Sequence, residues 1–113
     1  MGIAQLEEKP LFAVVSAASS GDNTVIAAVA GFKIRVLSVV LVSSGTVTVT
    51  WKSAAGGTAL SGAMPLTAQT GFSSAYSPIG QFETASGALL NCSLSGAVGV
   101  YGWMTYVLVR ASN

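Results

Sequence analysis

Short runs of β-branched and aromatic residues, each ended within a few positions by Gly, Ser, Asn or Pro, recur along the whole chain. No stretch keeps apolar residues at helical spacing long enough to build a sizeable helix, whereas Val, Thr, Ile, Phe, Tyr and Trp suit a pleated, half-buried surface. The segments that read as strands are Leu11–Ala17 and residues 24–30, 33–42, 46–52, 63–67, 73–77, 80–84, 88–94 and 98–110. About eight or nine short strands with turn signals between them specify an all-β fold, an antiparallel β-sandwich or barrel. A length of 113 residues fits one domain. Residues 11–113 are read as that domain and residues 1–10 as an N-terminal arm, with Pro10 favouring an extended approach to the first strand.

The clearest strand is 46–52, where Val47, Val49 and Trp51 alternate with Thr46, Thr48, Thr50 and Lys52. One face is therefore apolar and the other wet. Ser43-Ser44-Gly45 precedes it, so a hairpin with 33–42 is expected. That neighbouring segment differs in having apolar residues in both alternating sets, and 98–110 repeats the pattern. Antiparallel sheets usually keep one face in water, so two doubly apolar strands call for loop cover or a subunit interface. The interface is the favoured reading, carried by Ile34, Val36, Val40 and Val42 of one strand and Tyr101, Trp103, Val107 and Val109 of the other.

Charge is scarce: five Lys and Arg, four Asp and Glu, and no His give a net charge of +1. A typical soluble domain has about 25% charged residues; here the figure is 8%. Lys9, Lys33, Arg35, Lys52 and Arg110 are scattered, so no basic patch offers itself to nucleic acid. Without His, the usual general base and the commonest metal ligand are missing, and no metal or cofactor is expected. Only Asp22 with Glu83 could form a rigidly held carboxylate pair, and no other polar cluster supports one. The chain is thus read as non-enzymatic.

Gly56-Gly57-Thr58-Ala59-Leu60-Ser61-Gly62 lacks the Lys-Ser/Thr ending of a phosphate loop and reads as a flexible connection. Gly21-Asp22-Asn23-Thr24 supplies a turn rather than a calcium loop. Cys92, flanked by apolar residues, reads as a buried, inert thiol. Residues 84–109 are uncharged but rich in Gly, Ser and β-formers, which argues for strands rather than a membrane-spanning helix. The charged start does not resemble a secretory signal.

Aromatic residues are the remaining candidates for binding. Trp51 shares a face with Val47 and Val49 and reads as core, whereas Tyr76, beside Pro78 in a Ser-rich loop, and Trp103 could stack on a sugar ring.

Gly31-Phe32-Lys33-Ile34-Arg35-Val36-Leu37, preceded by Asn23-Thr24-Val25-Ile26 and followed by Gly45-Thr46-Val47-Thr48-Val49-Thr50-Trp51, resembles a group of small tailed-phage and prophage proteins. Gly62-Ala63-Met64-Pro65-Leu66 and Gly80-Gln81-Phe82-Glu83-Thr84 extend the resemblance over most of the chain from residue 11. It implies a jelly-roll virion protein, made in the host cytoplasm, that decorates a capsid or belongs to a head fibre and is often trimeric. The expected partners are further copies of the chain, as a homotrimer, and the major capsid protein or another virion component, which an arm of Glu7, Glu8 and Lys9 could contact. The alternative is a carbohydrate-binding jelly-roll module of a fibre or tail, with a glycan as its ligand.

Overall fold

The alternation in 46–52 is realised in β4 (Val47–Ser53): Val47, Val49, Trp51 and Ser53 are buried, and Thr48, Thr50 and Lys52 are half-buried. A strand with one apolar face needs a second layer to cover it, and the whole architecture follows from that requirement. The computed structural model describes residues 9–110. Glu7 and Glu8 lie outside the described residues, and Lys9 is exposed.

The remaining strands are β1 (Leu11–Ala17), β2 (Gly21–Ile26), β3 (Phe32–Ser43), β5 (Thr58–Ala59), β6 (Met64–Leu66), β7 (Gly71–Ser73), β8 (Phe82–Glu83), β9 (Leu90–Leu94) and β10 (Val100–Arg110). One sheet runs β1-β10-β3-β7, with β8 also on β3; the other runs β2-β9-β4-β5, with β6 also on β4. Every pairing is antiparallel. Because β7 and β8 take different stretches of β3, they share one lane, and β5 and β6 share another along β4. The result is a sandwich of two four-lane sheets in which β1, β2, β3 and β4 alternate between layers and β9 and β10 return between them. This is a jelly roll.

That alternation corrects the expected hairpin. β3 and β4 lie in opposite sheets rather than side by side. The Ser43-Ser44-Gly45 segment carries the chain across the sandwich, anchored by Ser44 N–H on the Gly99 carbonyl at 2.8 Å. Changing layers lets the inner faces of β3 and β4 meet in the core, which a flat hairpin could not achieve. Three smaller corrections concern boundaries. The segment expected at 24–30 is paired from Gly21 to Ile26, the one expected at 73–77 is paired from Gly71 to Ser73 and continues as a loop, and the glycine-rich connection contains β5, bonded to Lys52 and Ser53.

The two apolar sets of β3 have a specific origin. Thr105 of β10 pairs with Ser38 and the next residue, Tyr106, pairs with Val36, leaving Leu37 as an unmatched bulge. An extra residue shifts the side-chain parity. Ile34 and Val36 point inward before the bulge, and Val39 and Leu41 point inward after it; all four are core residues. Against them pack Val49, Trp51, Leu90, Cys92 and Leu94 of the facing sheet, with Trp51 stacked on Phe82 at 5.9 Å between ring centroids. Each fully buried aliphatic side chain contributes about 1.5–3 kcal/mol. The buried polar side chains are satisfied: Thr84 Oγ1 accepts from the Ile34 N–H, and Asn91 Oδ1 accepts from the Asn23 N–H.

Candidate interaction surface

Side chains on the outer face of the β1-β10-β3 sheet are set by the same register that builds the core. Ala13, Val15 and Ala17 point inward, so Phe12, Val14 and Ser16 point out. Cross-strand pairing then aligns three outward rows: Phe12 with Thr105 and Ser38, Val14 with Trp103 and Val40, and Ser16 with Tyr101 and Val42. Phe12 is 80% exposed, Val14 76%, Trp103 56%, and Tyr101 and Val42 each 49%. None of the nine residues in these rows is charged.

Taking roughly 150–250 Å² as the surface of one aromatic side chain, Phe12, Tyr101 and Trp103 alone present on the order of 400 Å² to water. The largest apolar patch on a typical monomer is about 300–600 Å² and is often functional. Adding Val14 and Val42 puts this face toward the upper end of that range.

The residues expected at an interface are divided by this geometry. Val42, Tyr101 and Trp103 are exposed on the outer face, and Val40 is half-buried there. Ile34 and Val36 are fully buried in the sandwich, because they lie on the inward side of the Leu37 bulge, so they are unavailable to a partner. Val107 faces outward beside Arg35 but is buried, and Val109 is half-buried beside Lys33. Phe12 and Val14, the most exposed members of the face, were not among the expected residues. The signal for them was a run apolar in both alternating sets, with Ala13, Val15 and Ala17 in one and Phe12 and Val14 in the other.

A charged cluster bounds the face at one end. Arg35 Nε donates to Glu83 Oε1 at 2.9 Å, and Lys33 Nζ lies 3.6 Å from Glu83 Oε2. Such surface pairs contribute at most about 1 kcal/mol. Asp22 sits in the other sheet, where Asn91 Nδ2 donates to its Oδ1 at 2.6 Å. That bond and one from the Gly56 backbone hold its carboxyl below the usual carboxylate range. The two carboxylates considered as a pair are thus on separate sheets, each engaged with its own partner.

Tyr76 lies between β7 and β8, is 59% exposed and belongs to none of the three rows, one of which holds Trp103. Cys92 is buried between Trp51 and Asn23 in the strand register, and burial pushes its thiol up to about 12. Among the described residues no group of His, Cys, Asp and Glu is arranged to hold a metal ion, and no helix is long and apolar enough to cross a membrane. Comparison with protein-family models, with curated proteins and with solved structures found no match.

Proposed function

We propose that this chain is a non-enzymatic structural protein that assembles with copies of itself, as a trimeric component of a phage virion associated with the capsid or head. The observation that carries the reading is the uncharged outer face of Phe12, Val14, Trp103, Tyr101 and Val42, carried by the neighbouring strands β1, β10 and β3. Large aromatic side chains kept in water on a rigid sheet favour association, because their burial releases water without disturbing the core. The virion assignment is supported by the resemblance of residues 11 onward to small tailed-phage proteins and by the jelly-roll topology. In this reading the Glu7-Glu8-Lys9 segment supplies polar contacts to the capsid.

Light scattering at micromolar concentration tests the assembly, with an expected mass of three times the 11.3 kDa chain. A monomer throughout the concentration range contradicts it. Mass spectrometry of purified particles from the phage genome that encodes the chain tests the location. Stoichiometric recovery in the particle is expected, and its absence there removes the virion assignment.

A further inference from the structure

Resting on the reading that copies of the chain associate, we propose that they do so head to tail: the apolar tip of the β7–β8 loop of one copy seats on the outer Phe12, Val14, Tyr101 and Trp103 face of the next. The tip carries Tyr76, 59% exposed, and Ile79, 82% exposed, on either side of Ser77 and Pro78. Ile79 is the most exposed large hydrophobic residue among those described.

Exposed loops are ordinarily mobile. This one is fastened along the edge of β3. Ser74 N–H donates to the Val39 carbonyl at 2.9 Å, and Ser74 Oγ accepts from the Val39 N–H at 3.0 Å. Ser77 N–H donates to the Leu37 carbonyl at 3.0 Å, and Gln81 N–H to the Val36 carbonyl at 2.6 Å. Gln81 Nε2 then bridges the carbonyls of Ala75 at 2.9 Å and Leu37 at 3.3 Å, drawing the two ends of the loop together. Gly80, at φ +102°, closes against the stem of Arg35 where a side chain could not fit. Tyr76 and Ile79 are therefore held outward on a fixed frame. A preorganised apolar knob loses little conformational freedom when it docks.

The placement of knob and face selects the kind of contact. In the order β1-β10-β3-β7, the exposed face is centred on β1 and β10, while the loop leaves the opposite margin through β7. A two-fold pair could also seat each tip on the other copy's face, but a ring of three is heterologous and needs two unlike surfaces on every copy. The tip at one margin and the face at the other supply them, so the trimeric reading selects the head-to-tail ring. The chemistry agrees, since residues 74–80 are uncharged like the face they would meet, and no ion is stripped of water on docking.

The test uses Ile79→Asp and Trp103→Asp, purified separately, with thermal unfolding to establish that each remains folded. Ile79→Ser and Trp103→Ser replace any variant that does not. Sedimentation velocity is expected to give a wild-type oligomer and two monomeric variants. Mixing the variants one to one should restore a single contact, between the intact face of Ile79→Asp and the intact tip of Trp103→Asp, giving a species of twice the monomer mass and nothing larger. An Ile79→Asp variant that assembles like wild type overturns the head-to-tail contact while leaving self-association standing, as does a mixture that remains monomeric beside an assembling wild type. A monomeric wild type overturns the assembly reading itself.

Discussion

Replacing each of the two tryptophans with alanine separates the core of this protein from the outer face proposed to associate. Trp51 is 1% exposed and stacks on Phe82, whereas Trp103 is 56% exposed on the outer sheet face. Trp51→Ala removes a packed core side chain and leaves a cavity, at a cost of about 3–5 kcal/mol. That is a large share of the roughly 5–15 kcal/mol that holds a domain of this size together. For Trp103→Ala the loss to folding should be about 1–2 kcal/mol, because only the contacts with its neighbours on the sheet disappear. In the proposed assembly its loss to association is larger. Taking roughly 250 Å² for a tryptophan side chain, the exposed part is about 140 Å², which at about 25 cal/mol per Å² gives about 3.5 kcal/mol per contact. Such a change weakens the dissociation constant about 300-fold. Urea denaturation at a dilution where wild type is monomeric measures the first quantity, and sedimentation equilibrium measures the second. If Trp103→Ala leaves the dissociation constant within threefold of wild type, or destabilises the monomer as much as Trp51→Ala, the division between core and interface is wrong.

Deleting Leu37 should leave the protein folded, because Val36 and Ser38 already face consecutive residues of β10 and the inward set of Ile34, Val36, Val39 and Leu41 survives. The loss of a buried leucine and of two bonds to its carbonyl amounts to about 3–5 kcal/mol; a deletion variant with no cooperative unfolding transition refutes the bulge assignment. Gly102→Ala should destabilise by about 3 kcal/mol, measured by thermal unfolding, because its Cβ would collide with the Val40 carbonyl oxygen across the β10–β3 pair. Cys92 should not react with a thiol reagent at pH 8 until the chain unfolds. Its thiol shifts from an ordinary 9.0 to about 12 in the fold, so the unfolded chain loses the proton first as pH rises. Stability should therefore fall between pH 9 and 12, by up to about 4 kcal/mol, and a Cys92→Ala variant should lack that decline.

The long strands were legible in the sequence because they are β-branched runs between turn residues, and Leu11–Ala17 has the same limits in both readings, whereas Thr58–Ala59 and Gly71–Ser73 carry no such run and were missed or misplaced. Their partners were not, since a strand with one apolar face satisfies either a hairpin neighbour or a facing sheet. The 43–46 connection is short enough for both, and only the long-range pairing of β3 with β10 and of β4 with β9 decides between them. The candidate surface was half legible for a related reason. In β3, one unmatched leucine shifts the parity, so the set 34, 36, 40 and 42 that reads as one face points inward before the bulge and outward after it; Ile34 and Val36 were assigned to the surface on that account. In β10, with no such shift, the doubly apolar pattern was genuine. Val100, Met104, Tyr106 and Leu108 face the core, and Tyr101 and Trp103 face water.

Where the few charges lie bears on how a nearly neutral chain, associating as proposed, would avoid open-ended polymerisation. Head-to-tail contacts close into rings only if the rotation between copies is fixed; otherwise they propagate as filaments. An apolar face alone fixes rotation poorly, since hydrophobic contact has no direction. Lys33, Arg35 and Glu83 stand together at one end of the outer sheet, and Gly80 ties the projecting loop to the stem of Arg35. A neighbour that slid toward that end would bury ions against apolar side chains, at several kcal/mol for each ion left unpaired. The cluster contributes little to folding as a surface ion pair, yet as a boundary it limits the docking angle. Replacing Lys33, Arg35 and Glu83 together with Ser should therefore leave the association strength near wild type while broadening the oligomer distribution. Sedimentation velocity would read this as larger species beside the closed one, and an unchanged single peak would show that the loop and face set the rotation by shape alone.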